Sequence, residues 1–262
     1  MNSYGNDDIH AWFGRYTRHH MLINSTDRYP VSLKIVHCQR VRREALTLGR
    51  DLALDTRDLG ITDAAGLLHD IGRFPQYSTH KTFVDSVSVN HAELGARVLK
   101  ENLVLRKFSQ REQERILTAI RYHNRAVLPA DRDRKVHLLS RMLRDADKLD
   151  IWRVFTEHNK LSKDARNNTV DQDLPDGDSC SEKALADIMA RKLVDYRHIV
   201  SKNDFALMRL AWVYDVNFTH TFREILARNY LQTLHLTLPQ NDKIKVAFEA
   251  ALTYVEQRAA GL

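Results

Sequence analysis

The feature that most constrains the fold is the recurrence of apolar residues at three- and four-residue spacing along nearly the whole chain. No segment alternates apolar and polar residues as a half-buried strand does, and no unit repeats. Only nine glycines and five prolines interrupt the 262 residues, too few for a many-turned β protein or a linker-rich chain. The expected class is therefore all-α, a helical bundle with additional C-terminal helices. With 43% hydrophobic residues the chain can bury a sizeable core. One domain over 1–262 is the expected organisation: an N-terminal segment 1–29, a core 30–157, and C-terminal helices 158–262 with a loop at 167–181.

Start and stop signals divide the pattern. Pro30 suits the first turn of a helix over 30–50. Thr62 is placed to cap TDAAGLLHD, which ends at Gly72. Asn90 with Glu93, and Ser109 with Glu112, open two further helices, and a long amphipathic run covers 134–158. Pro175 and Gly177 punctuate the 167–181 loop, an insertion or lid candidate. Ser179 with Glu182 restarts a helix to about His198. Residues 204–234 read as one central buried helix stopped by Pro239, and Asn241 opens the last.

Several function classes fall away. The start, MNSYGNDDIH, has neither a basic nor an apolar leader region. The most apolar stretch, FALMRLAWVYDV, carries Arg209 and Asp215, so no membrane span is expected. Cys38 and Cys180 are too few for a disulfide framework, and a cytoplasmic location is the default. The net charge of +6 is compatible with an anionic substrate or nucleic acid, but no block of like charges singles out a nucleic-acid surface.

The chemistry concentrates around His69-Asp70. About one such neighbouring pair is expected by chance, so the setting has to carry the case. His37 lies on an earlier helix, and Asp147, in RDADKLD, on a later one. Adjacent helical residues point about 100° apart, so His69 and Asp70 can flank one point that His37 and Asp147 approach from neighbouring helices. Two imidazoles and two carboxylates suit Mn, Fe, Co, Ni or Mg better than thiolate-rich structural zinc, and leave positions open for water and substrate. Asp145 and Asp147 point about 200° apart, so both cannot face one metal. Asp145 is then free to orient a histidine or to pair with Arg141 or Arg144.

These residues, with the segments LLHDIGRF, SVNHAELGARVL, YHN and RDADKLDIW, resemble the HD-domain superfamily of metal-dependent phosphohydrolases over roughly residues 30–157. The resemblance implies an all-α HD bundle and hydrolysis of a phosphoester or phosphoanhydride through a metal-bound hydroxide, with a nucleotide or cyclic nucleotide as the expected small-molecule partner. It points to Asp147 as the last ligand. It adds His91 and His123, which in two-metal relatives bind a second ion bridged by the Asp of the pair. Their alternative role is substrate contact, so one or two divalent ions are expected per chain. His91 sits in a helix first turn, where the dipole favours neutral imidazole; His123 sits near a helix end, where it favours imidazolium.

One position departs from part of the family. Single-metal members often place an acid–base Glu three residues after the pair, where this chain has Arg73. Arg73 resembles instead the basic residue of cyclic-dinucleotide phosphodiesterases, where it faces phosphate; its alternative is a pair with a carboxylate. The expected catalytic set is thus Asp70, Arg73 and His123, with Arg73, Lys148 and His91 toward substrate. Lys81 and Asp85 are candidates for the pocket mouth. Cys38 reads as a buried structural thiol, and Trp152, Phe155, Phe205, Trp212 and Tyr214 as packing. Competing readings are a mixed-valent di-iron oxygenase of the inositol oxygenase type and a non-catalytic nucleotide-binding module. A homodimer through the C-terminal helices is left open.

Overall fold

A computed structural model describes residues 4–130, 133–162, 168–172 and 174–261. Among them there is no strand, and the chain is all-α as expected. No described helix is long and apolar enough to cross a membrane. The contacts divide the chain into two compact units, Met1–Asp150 and Ile151–Leu262.

The first unit contains α1 (Asp7–Ile23), α2 (Tyr29–Asp51), α3 (Thr56–Leu68), α4 (Arg73–His80), α5 (His91–Glu101), α6 (Gln110–Tyr122) and most of α7 (Arg134–Asn159). α3 is its central rod. Every residue from Leu59 to Leu68 is buried, so the helix has no polar face to show to water. Gly66 lets α2 approach closely, because a Cβ there would lie 2.8 Å from the Arg42 Cα. α1 was not anticipated. Its Ile9, Phe13, Thr17 and His20 repeat at helical spacing and are buried. The buried charge of α3, Asp63, binds α1 and α2 to it: Asn6 Nδ2 at 2.7 Å, His10 Nε2 at 3.0 Å and Arg42 Nε at 2.5 Å. Burial opposes that charge, but these partners outweigh it and hold the Asp63 carboxyl down at about 2.

The Asn90, Ser109 and Asn241 caps form as expected, Ser109 and Glu112 as a complete capping box. Thr62 does not start a helix. α3 begins six residues earlier under the Asp55 cap, and Thr62 donates its hydroxyl to the Asp58 carbonyl inside it. Gly72 is the N-cap of α4 rather than a helix stop.

The second unit takes the end of α7 and adds α8 (Asn168–Asp171), α9 (Glu182–Met189), α10 (Lys202–Ala211), α11 (Thr219–Ala227), α12 (Tyr230–His235) and α13 (Asp242–Ala259). Of the 167–181 loop, residues 167 and 173 lie outside the described residues. Its later part is tied to the start of α10, through Lys202 N to Pro175 O at 2.9 Å and Asn203 Nδ2 to Gly177 O at 2.6 Å. The α9 cap is Ser181, not Ser179, and the helix stops at Met189 rather than near His198. The expected single helix over 204–234 is broken twice. The extended Val216 follows a 3-10 turn at Trp212–Asp215, and Asn229 adopts a left-handed φ of 54°. Apolar runs that are buried on several faces conceal such breaks, because the pattern continues across them. Trp152, Phe155 and Phe205 are buried packing residues.

Candidate metal centre

Each candidate ligand is placed by a local feature of its helix. His37 projects from the interior of α2 and Asp147 from the interior of α7. His69 caps the C-terminus of α3, and Asp70 follows in the turn before α4. His91 is the first residue of α5, and His123 caps the C-terminus of α6. The turn after Asp70 is pressed onto α5: a Cβ on Gly72 would lie 2.1 Å from the His91 carbonyl oxygen and 2.6 Å from Gly95 N. Glycine at 72 therefore sets the distance between Asp70 and His91.

All six of these side chains meet. Three overlapping groups have ligand atoms within 4.8 Å of one another: His37, His69 and Asp70; His69, His123 and Asp147; Asp70, His91 and His123. Asp70 stands at the middle. Its Oδ2 lies 3.5 Å from His37 Nε2 and 3.7 Å from His69 Nε2. Its Oδ1 lies 3.3 Å from His91 Nε2 and 3.6 Å from His123 Nε2. Asp147 Oδ1 closes the first side, 3.1 Å from His37 Nε2 and 3.7 Å from His69 Nε2.

The tautomers follow from the other ring nitrogens. His69 Nδ1 donates to Gly66 O at 2.9 Å and His123 Nδ1 to Ile120 O at 2.6 Å; a carbonyl can only accept. His37 Nδ1 donates to Asp150 Oδ2 and His91 Nδ1 to Asp85 Oδ2, both at 2.7 Å. All four Nε2 atoms are therefore turned inward. His37 and His69 bring theirs within 3.2 Å, and His91 and His123 within 3.1 Å. Lone pairs this close to each other and to two carboxylates need a positive charge between them. Burial pushes His69 down to about 4, and burial followed by Arg73 pushes His91 down to about 3, so these rings are neutral and able to ligate. Burial also opposes the charge on His37, but Asp147 and Asp150 outweigh it and raise His37 above its ordinary value. With no cation, the proton on His37 answers the carboxylates. Burial resists ionisation of Asp70, yet Lys34 and His69 keep it well below the usual carboxylate range. Donor types, tautomers and charge all fit a divalent cation, and these buried groups could hold one.

Residues 35–152 match the family model for the HD domain. This part of the chain belongs to the HD-domain superfamily. No curated protein and no solved structure matches the chain. The HD domain is the helical fold of metal-dependent phosphohydrolases.

Around these candidate ligands lie groups whose orienting roles spacing did not single out. Asp150, not Asp145, orients His37, and it also meets Arg40 Nε at 2.6 Å. It sits one turn after Asp147 on the same face, a signal available in the sequence. Asp85 orients His91 and receives Arg73 Nη1 at 2.9 Å. Lys34, one turn before His37, donates to Asp70 Oδ2 at 2.8 Å. Lys148 is buried on α7, and Lys81 donates to Asn24 Oδ1 at 2.6 Å. Cys38 is fully buried, and burial followed by Asp70 holds its thiol protonated, as suits a structural residue.

Proposed function

We propose that this protein is a metal-dependent phosphohydrolase that cleaves a phosphoester or phosphoanhydride bond, with a nucleotide or cyclic nucleotide as its substrate class. The observation that carries this reading is the convergence of four inward Nε2 atoms and two carboxylates on one buried point within an HD domain. His37, His69, Asp70 Oδ2 and Asp147 would hold one divalent cation, and His91, His123 and Asp70 Oδ1 a second. Cations bound there supply acidified water and neutralise charge on a phosphoryl oxygen.

The protein's own groups do the positioning. Asp70 is shared between the two sides, so its carboxylate fixes their separation. Asp150 and Asp85 lock the rings of His37 and His91 with Nε2 inward, and backbone carbonyls do the same for His69 and His123. Arg73 Nε, 3.5 Å from Asp70 Oδ1, adds fixed positive charge beside the His91 side. Preorganised charge of this kind favours the extra negative charge that builds up as a phosphate ester is attacked.

The test is turnover. Protein reconstituted with Mn, Co, Ni, Fe or Mg is assayed against nucleoside phosphates, cyclic nucleotides and a generic phosphodiester. Wild type is expected to hydrolyse at least one, and Asp70→Ala to lose roughly a hundred-fold or more. Absence of hydrolysis with every metal, and indistinguishable behaviour of wild type and Asp70→Ala, would overturn the reading.

A further inference from the structure

Partly exposed polar side chains edge the cluster, Asp85 at 29% among them. Lys34, Arg73 and Asp147 are 17%, 16% and 16% exposed, whereas His37, His69, Asp70, His91 and His123 are 4% or less. Lys34 and Arg73 both stand beside Asp70, and they are held differently.

Arg73 is anchored through one nitrogen of its guanidinium, while its Nε is buried without a hydrogen-bond partner among the described residues. Its Nη1 donates to Gln76 Oε1 at 2.9 Å, Phe83 O at 2.5 Å and Asp85 Oδ1 at 2.9 Å. The guanidinium thus holds Asp85, and through Asp85 the ring of His91. Among the described residues Lys34 has one hydrogen bond, from Nζ to Asp70 Oδ2 at 2.8 Å, and it is not held in a wider network. Its ammonium lies 5.5 Å from the centre of the Phe83 ring, which the Arg73 guanidinium also faces at 5.9 Å. Lys34 precedes His37 by one turn of α2, so both face the same way. The oxygen that Lys34 holds is the one turned toward His37 and His69. A divalent cation on that oxygen would take over much of the charge that Lys34 now balances.

We propose that Lys34 is a phosphate-binding side chain of this site, its ammonium donating to a terminal oxygen of the phosphoryl group. Lysine meets phosphate as a compact point charge with rotatable donors, which suits a rim position. The assignment of phosphate as the ligand rests on the phosphohydrolase reading.

The experiment is calorimetric titration of inorganic phosphate into the Mn-loaded protein, with Mn affinity measured separately and KM and kcat on whichever phosphate ester is turned over. Lys34→Met is expected to weaken phosphate binding about ten-fold or more and to raise KM in parallel, since charged hydrogen bonds to phosphate are among the strong ones. Its Mn affinity should be unchanged or tighter, because a competitor for Asp70 Oδ2 is gone. Lys34→Arg should restore most of the phosphate affinity. If Lys34→Met melts early, Lys34→Gln provides the same comparison with a polar stem. The proposal is overturned if folded, Mn-loaded Lys34→Met binds phosphate as wild type does, if its defect is loss of Mn, or if wild type binds no phosphate. Phosphate binding that depends on Lys34 without any hydrolysis would sink the phosphohydrolase reading and leave this assignment standing.

Discussion

The two sides of the centre draw differently on helix interiors and helix ends. On one, His69 caps the end of α3, but His37 and Asp147 come from helix interiors, and the His37 ring is held by Asp150, whose side chain is 0% exposed and already paired with Arg40. On the other, His91 starts α5 and His123 ends α6, and the ring is held by Asp85, 29% exposed, from a 3-10 turn. An interior residue moves only if several backbone hydrogen bonds break together, whereas a residue in a first or last turn moves with local fraying. The difference teaches where tight and adjustable binding belong. The His37 side is expected to be the more rigid, and the His91 side the more yielding.

The strongest way to break this comparison is to remove one ligand from each side. Asp147→Ala should lower metal affinity by more than the roughly 10–100-fold typical of losing a ligand's hydrogen-bond partner, while His123→Ala should leave one ion bound. Elemental analysis after dialysis reads both; equal loss from the two variants would erase the distinction. A smaller effect sharpens it. Asp150→Asn should cost metal affinity toward the upper end of roughly 10–100-fold and Asp85→Asn toward the lower end, with Asp150→Asn also lowering Tm more because it leaves Arg40 beside a neutral partner. The reverse order would assign the rigid role to the wrong side.

The smallest effect is in the metal-free protein. His69 and His91 have folded values of about 4 and about 3 against an ordinary 6.5, so the unfolded chain takes up protons first as pH falls. Each of these histidines therefore costs stability progressively from about pH 6.5 downward, on the order of 1 kcal/mol per pH unit until its folded value is reached. His37, raised in the fold, works the other way: its contribution is present at low pH and lost as pH rises through its folded value. The net expectation is a Tm that falls between pH 6.5 and 4 and a fall that metal loading shifts; a flat profile in the metal-free protein would argue against neutral inward imidazoles.

Much of this was legible in the residues. The caps at Asn90, Ser109 and Asn241 rest on local chemistry, a side-chain oxygen facing an amide three residues on, and each forms. Where several cap residues crowd together, as Asp55, Asp58 and Thr62 do, local rules cannot rank them, and burial of the whole of α3 decided the start. The all-α class and the approach of His37, His69, Asp70 and Asp147 followed from residue type and helical order, while His91 and His123 were reached through the resemblance to the HD family. The groups that orient them did not. Lys34 and Asp150 were within reach, each one turn from a ligand on the same helix. Asp85 was not, because its hold on His91 depends on the path of the 3-10 turn and on Arg73, which local periodicity does not encode.

The most direct measurement is anomalous diffraction at the manganese edge from crystals of the Mn-loaded protein. The account predicts a peak bounded by His37, His69, Asp70 and Asp147 at coordination distances of roughly 2.0–2.3 Å, and a second, weaker one between Asp70, His91 and His123. Crystals soaked to saturation with no peak within bonding reach of His37, His69, Asp70 or Asp147 would contradict it.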